Sequence, residues 1–502
     1  LGIEFAPGSR GALTFTVGQS VVSKDFAGHQ DGSVSFDGKT NERPYTISFT
    51  WPHGPTANCE LVLDLIFNTG GPQQFKVQIN DKVGIFPVRL APKHTMWGEQ
   101  GNDMLLAHGQ VVVPIPAAWL NAKENKLVLV PLGLGNLQYD GITTHLTESP
   151  PNTDASLEPT IFFRKSGGKL VELCDVRLPF TKRFERAEVS VTLGRQAFRG
   201  MVTNSFDFGV ASVPVEIPAN IPAGRAKVEV KLDGVTTSQE CDLKPARQWR
   251  VFVCPKVDND VGYTDLQPHV NELDNRNSDQ VLNILRNFPN YKFNFETAWL
   301  VDNFLDCRTG PYRKEFLDRL KQRRVAMNAL YLNLMTGVCS GEELYRAMYF
   351  THRLHRESGG NFDSACITDA PSHSWFLPTL FSDVGVKGFS NGANQTRAPI
   401  LHYSDLNEDS PFWWEGMNGE RIFMWYARSY VQLKRLVGPG WGRDTSSVEY
   451  LRHSVPQFLV RYERDSYAPD AVMIYGAYVD NAAIPDTGEA DTIAKWNAEY
   501  EF

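Results

Sequence analysis

The chain has few cysteines and no CxxC pair: seven lie at positions 59, 174, 241, 254, 307, 339 and 366 of 502 residues. That spacing excludes a thiolate zinc knuckle and a dithiol redox motif. The odd number leaves at least one thiol unpaired. Cys174 and Cys241 are either bridged or two small buried apolar residues. No stretch approaches the roughly 20 apolar residues that would span a bilayer. Positive charge is also short, with 50 Lys and Arg against 58 Asp and Glu and a formal net charge of -8. No Lys/Arg-dense face stands out, which excludes nucleic acid as partner and points to a neutral or weakly charged substrate. With 42% apolar and 22% charged residues, neither disorder nor a membrane class is indicated. The chain opens at Leu1 with no initiator Met and no basic-then-apolar leader. That suits a mature exported product, so a secreted or periplasmic location is expected.

What is present divides into three parts, as a length beyond one hydrophobic core predicts. Residues 1–149 read as short alternating runs such as "GALTFTVGQ", "TISFTW", "CELVLDLIF", "FKVQIN", "QVVVPIP" and "NKLVLVPL". Period-two alternation punctuated by Gly, Asn, Asp and Pro predicts an all-β sandwich. Two strands are expected around the Gly-Gly of "IFNTGGPQQF", with "IND" beginning the next turn. After the linker-like "TESPPNTDASLEP", residues 150–248 carry "AEVSVTL", "VASVPVEIPANIPAG" and "AKVEVKLDG". These predict a small fibronectin- or immunoglobulin-like sandwich. From residue 249 to 502 apolar strands alternate with helical stretches, which predicts an α/β barrel. Its strands are "RVFVCP", "VAMNALYL", "SACITDA", "GVKGFSNG", "RIFMWYA" and "AVMIYGAY"; one helix starts at "CSGEELYRAMYFTHRLHRES", where Ser340 and Glu343 have capping-box spacing.

In a parallel α/β domain functional groups gather where strands end. Two places qualify. "KVDNDVGYTD" carries Asp258, Asp260 and Asp265 after one strand, and "TDAPSHSW" carries Asp369 after another. Asp258 and Asp260 lie two apart, so an extended segment projects both to one side. An isolated D-x-D more often caps a helix or sits solvated in a turn. Glycosidic hydrolysis, however, needs one carboxylate to attack or to activate water and a second acid to protonate the leaving oxygen. A cation holding sugar hydroxyls would need oxygen or nitrogen ligands nearby.

"FVCPKVDNDVGYTDLQ", "FNFETAWLVDNFL", "ITDAPSHSWFLPTLFSDVGVKGFSNGAN", "PFWWEGMNGERIFMWY" and "AKWNAEYEF", in that order, resemble the catalytic domain of glycoside hydrolase family 38, the α-mannosidases. The resemblance covers about residues 250–502. It implies a metal-assisted retaining hydrolase, with Asp258 and Asp260 at the two ligand positions of the family's P-H-S-H-x-D motif. Asp369 in "DAPSHS" would be both nucleophile and metal ligand, with His373 and Trp375 at the same mouth. Asp480, ending "MIYGAYVD", stands near the family's general acid. The family's ion is zinc. Because Asp258 replaces its histidine, the more anionic site favours calcium, magnesium or manganese. Lys256, at another histidine position, either pairs with a carboxylate or meets an acidic sugar. Glu296, Glu415, Trp299, Trp413, Trp414, Trp425 and Tyr426 are candidate pocket walls, although Trp and Phe in such places are more often core. The family has a further histidine ligand beyond the barrel, and the sequence stops at Phe502. The resemblance therefore implies either a missing region, which a separate chain could supply, or a different site.

"FTVGQSVVSKDFAG", "INDKVG", "GNDMLLAHGQVVVPIPAAWLNAKENKLVLV" and "LQYDGI" resemble the carbohydrate-binding-like domain of rhamnogalacturonan lyases of polysaccharide lyase family 4. A jelly-roll sandwich is implied, in which His94, Trp97 and Tyr139 either line a sugar site or pack. Three readings follow. The first is an exported α-mannosidase-like hydrolase of a glycan or of a plant or microbial polysaccharide. The second is a polysaccharide-binding protein with a silent barrel. The third is a uronic-acid polysaccharide lyase, resting on the first module and Lys256. The sugar, the linkage and the oligomeric state are not encoded in any motif.

Overall fold

The structure is a computed structural model. It describes residues 13–34, 40–51, 58–68, 73–90, 106–133, 135–262, 264–360, 362–370, 372–394, 409–427, 429–437, 447–460, 462–481 and 488–501. No helix among them is long and apolar enough to cross a membrane.

The alternating runs of the first part form two sheets facing each other across one core. Tyr45–Phe49, Asn125–Leu132, Gln74–Ile79 and Lys82–Pro87 lie in one; Asn136–Thr147, Asn58–Asn68 and Leu106–Ile115 lie in the other. Period two puts Leu61, Leu63 and Leu65 on the inner face, against Phe75, Val77, Ile79 and Leu129. The strands flanking the Gly-Gly segment thus belong to different sheets, and residues 69–72 between them lie outside the described ones. The next turn is a tight hairpin, with Asn80 at φ 52° and Ile79 paired with Lys82. Asparagine is one of the few residues that bears that conformation. Tyr139 packs in the core: its ring stacks 6.1 Å from Tyr45 and its hydroxyl donates to Gln30 Oε1. His94 and Trp97 lie outside the described residues.

The first sheet continues through the chain's second part, into Phe208–Pro218, Lys169–Phe180 and Ser156–Ser166. Phe208 and Gly209 pair in parallel with Gly84 and Ile85, and Phe208 is wholly buried in the first core. A Cβ on Gly209 would come within 2.4 Å of the Ile85 carbonyl oxygen, so this junction admits no side chain. A four-stranded antiparallel sheet, Gln196–Thr203, Arg186–Leu193, Gly224–Leu232 and Val235–Leu243, packs over this extension. Cys174 and Cys241 are free thiols, Cys174 fully buried.

Glu172 on the extension is 1% exposed, and its Oε1 accepts the Ala246 N–H at 2.8 Å. Burial pushes its carboxyl from 4.5 up to about 7, against the opposing effect of that hydrogen bond. A carboxyl raised on folding contributes fully below about pH 4.5 and loses that contribution as pH rises through about 7. Glu172→Gln keeps the acceptor and removes the charge. It should stabilise the protein by on the order of 2 kcal/mol at pH 9 and by little at pH 4, read by urea unfolding at both.

In the third part the strands become parallel. Val325–Met327, Phe293–Phe295, Arg250–Asp258 and Ala471–Asp480 form one sheet. Ser364–Thr368, Gly388–Gly392 and Arg421–Ala427 form another, with Phe412–Glu415 antiparallel at its edge. Asn328 stitches the two sheets: its amide donates to the Cys366 carbonyl at 2.8 Å and accepts the Cys366 N–H at 3.0 Å. At the opposite side Val431 bridges Gly476. Gly476 has φ 128°, and a Cβ there would sit 1.8 Å from the Tyr430 oxygen, so only glycine closes this side. The expected helix after Ser340 begins with a complete capping box but breaks into Gly341–Arg346 and Tyr349–Ser358. Met348, at the break, is fully buried.

Candidate active site

Three carboxylates meet at the ends of these strands. Asp258 is the last residue of its strand, Asp260 follows in the loop, and Asp369 comes directly after Ser364–Thr368. One oxygen of each lies within 4.8 Å of the other two. Asp258 is buried, whereas Asp260 and Asp369 are half-buried and reach solvent. No histidine or cysteine among the described residues joins the cluster.

Asp369 is held in a costly conformation. Its φ of 59° is left-handed, a region that costs an L-residue about 1 kcal/mol or more. Its N–H donates to the Gly392 carbonyl at 3.0 Å, and Asn394 donates to its Oδ1. The turn is thus tied to the neighbouring strand end, and the carboxylate is turned toward Asp258 and Asp260.

The 258–260 segment is gripped from three directions. Asn259 N–H donates to Glu296 Oε2 at 2.5 Å, and Asn259 Nδ2 to Asp274 Oδ2 at 2.8 Å. Asp260 N–H donates to Asn481 Oδ1 at 2.9 Å. Asn481 returns a backbone bond to the Asp258 carbonyl at 2.8 Å. Asn259, Asp274, Asn394 and Asn481 were not among the residues expected at the site. The only sequence trace is the recurrence of Asp-Asn in "DND" and "VDN", which has no mechanism attached until the two strands are adjacent.

Lys256 and Glu296 lie beneath the cluster. Lys256 Nζ donates to Glu296 Oε1 at 2.6 Å and to Thr368 Oγ1, with the lysine 2% and the glutamate 0% exposed. Burial would lower the Lys256 pKa, but Glu296 first, then Tyr475, Cys366 and Asp258, together outweigh it and hold the ammonium well above its ordinary range. Burial would raise Glu296, and the Lys256 charge together with hydrogen bonds from Lys256, Thr368 and Asp258 keeps it below the usual value instead. Burial first, then the Glu296 charge, push the Asp258 carboxyl well above the usual range against the opposing Lys256 charge, and its Oδ2 has no hydrogen-bond partner. An orphaned buried oxygen facing two further carboxylates is the donor set of a hard divalent cation. The residues therefore fit such an ion, which would reverse the local field.

The other expected site residues are placed as follows. Lys256, expected as one of the residues binding substrate, is instead enclosed in its ion pair, because burying an ammonium demands a carboxylate partner. Glu296, expected as a pocket wall, is that partner. His373, half-buried, packs edge-on against Phe389 at 5.8 Å, and burial lowers its pKa against the opposing effect of a hydrogen bond with Asn391. Trp375 is 62% exposed and donates to the Glu415 carbonyl at 2.8 Å. Glu415 is paired with Arg421 at 2.7 Å. Trp413 is exposed and stands against Phe423, while Trp414 packs near Phe389. Trp299, Trp425 and Tyr426 belong to apolar cores. Asp265 lies outside the carboxylate cluster and accepts from Leu266 N–H at 2.7 Å. Asp480 is in register with Asp258 on the adjacent strand.

Known proteins bear on this arrangement. The family described as "Glycosyl hydrolases family 38 N-terminal domain" matches residues 248–501, just over half the chain. No curated protein matches. Among solved structures, an alpha-mannosidase from Enterococcus faecalis V583 is 17% identical with a TM-score of 0.36, covering 49% of this chain and 27% of that one. A protein in glycosyl hydrolase family 38 from Enterococcus faecalis is 14% identical with a TM-score of 0.33, covering 50% and 28%. A beta-glucuronidase from Bacteroides uniformis is 11% identical with a TM-score of 0.18, covering 89% and 59%. At such scores these likenesses carry no argument, and this chain spans little more than a quarter of the two family 38 structures.

Proposed function

Because this chain belongs to glycosyl hydrolase family 38 through residues 248–501, we propose that it is the catalytic part of an exported, metal-assisted retaining glycosidase, α-mannosidase-like in its chemistry. The observation that carries this reading is the approach of the Asp258, Asp260 and Asp369 oxygens to within 4.8 Å of one another. Asp369 reaches solvent from a fixed turn and is the nucleophile: its free oxygen attacks the anomeric carbon, and water later releases the sugar from the ester. Asp480, at the end of the strand beside Asp258, is the acid that protonates the leaving oxygen. Asp258, Asp260 and Asp369 would hold the cation, with Asn259, Asn481 and Glu296 fixing the backbone of the first two. When bound, the ion orients vicinal sugar hydroxyls and eases ring distortion. With carboxylates alone as donors, calcium, magnesium or manganese is favoured over zinc.

The seven parallel strands form the barrel of residues 249–502. The parts before it, 1–149 and 150–248, are a jelly-roll carbohydrate-binding module and a fibronectin-like spacer sharing one sheet. A secreted or periplasmic location suits a glycan or polysaccharide substrate. Lys256, one of the two supports of the lyase reading, is buried and charge-paired with Glu296. One observation favours the silent, glycan-binding alternative: Asp258 stands where the family motif has histidine.

The test is turnover of aryl α-mannosides before and after chelation, with calcium, magnesium, manganese or zinc added back. Loss on chelation, best restored by a hard cation, is expected. The same cation should raise the melting temperature, since a ligand at a hundred times its Kd adds about 2.7 kcal/mol. Turnover indifferent to chelator removes the metal from the mechanism. Glycan binding without turnover establishes the silent alternative.

A further inference from the structure

Opposite the carboxylates, the same parallel strands enclose a cavity of about 240 Å³ to which every one of the seven contributes lining residues. The Lys256–Glu296 ion pair separates the two ends, since Lys256 lines this cavity while Glu296 reaches up to Asn259. Such a bore is normally filled by layers of bulky branched side chains. Here Ala326, Ser364, Gly388 and Ser390 line it, and the space stays open.

The polar groups around it are mostly engaged. The Asn294 amide donates to Cys254 Sγ at 3.1 Å, and Asn328 spends its amide on the Glu296 and Cys366 carbonyls. The Tyr475 hydroxyl meets Thr368 Oγ1 at 3.3 Å. Trp425 lines the cavity with another part of its ring, since its partnerless Nε1–H is itself buried away from any accessible space. The lower rim is apolar and open. Phe423 is 44% exposed, and Phe252, two residues before Cys254 on the same strand face, is 57% exposed.

We propose that this cavity is a second binding site, for a flat, uncharged molecule of one or two aromatic rings. Aromatic faces of Phe423, Trp425 and Tyr475 line it, and stacked or edge contacts with a ring add to the gain from burial. A charged ligand would lose its hydration with no counter-ion, because Lys256 is already neutralised. The volume exceeds the roughly 150 Å³ that suffices for benzene. The proposal is independent of the activity at the other end.

The probes are 2-naphthol and naphthalene, titrated calorimetrically into the whole protein. The wild type should bind 2-naphthol one to one. A Cβ on Gly388 would have no neighbour nearer than the Phe423 oxygen at 3.9 Å. Gly388→Leu should therefore fill the bore, cut 2-naphthol affinity at least about tenfold and leave the melting temperature no lower. Naphthalene should bind about as well as 2-naphthol and lose affinity alongside it in Gly388→Leu. If Gly388→Leu folds poorly, Ser390→Val fills the next rung and decides the matter. Absence of one-to-one binding to the wild type overturns the proposal, as does undiminished binding to a folded bore-filling variant.

Discussion

Asp369→Asn is expected to cut aryl α-mannoside turnover by about 10⁴-fold or more, some 5.5 kcal/mol of transition-state stabilisation, while the protein stays folded. An amide oxygen is too weak a nucleophile to form the glycosyl ester, and it also gives the cation one anionic donor fewer. The fold should not suffer, because asparagine bears the left-handed φ of 59° at this turn as well as aspartate does. Removing one of three carboxylates packed within 4.8 Å also relieves repulsion. In chelator the variant should thus melt no lower than wild type. With calcium or manganese added its melting temperature should rise less than wild type's. The pair of measurements separates chemistry from structure: residual turnover above about one per cent removes Asp369 from the nucleophile's role, and a collapsed melt makes it a structural residue.

Lys256→Met should destabilise the protein by about 3–5 kcal/mol, the cost of leaving a buried partner charged and alone. That is a large share of the about 5–15 kcal/mol by which a domain is held together. Glu296 is fully buried, and its other oxygen holds the Asn259 N–H, so it cannot turn to water for compensation. The double variant Lys256→Met, Glu296→Gln should recover much of the loss. Glutamine still accepts from Asn259 and carries no charge. Guanidinium unfolding of the four members of this cycle reads the coupling directly. A single variant within about 0.5 kcal/mol of wild type would mean that water reaches the pair.

Much of the local structure could be read from residue patterns. Alternation in "CELVLDLIF" named the buried face of Asn58–Asn68, and the S-x-x-E at Ser340 named a helix start that the structure caps on both sides. The apolar runs from "RVFVCP" onward marked where parallel strands end, and hence where Asp258 and Asp369 stand. Less could be read at the level of partners. Period two says that Phe208 is buried but not in which core, and it lies in that of the first module. Lys256 carries the same one-letter signal whether it meets a sugar or a glutamate remote in sequence. The tetrad of Asn259, Asp274, Asn394 and Asn481 is invisible as a motif because each is an ordinary polar loop or helix residue until the strands align.

The amino-acid order by itself determined which segments are strands and helices, which side of each is apolar, and which acids sit at strand ends. Those are local consequences of backbone periodicity and burial. The tertiary structure decided that Asp258, Asp260 and Asp369 converge, that Lys256 is sealed beneath them, and that the bore below is open. Each of those depends on which strand lies beside which, and pairing free energy is spread over many distant contacts that no short window of sequence contains.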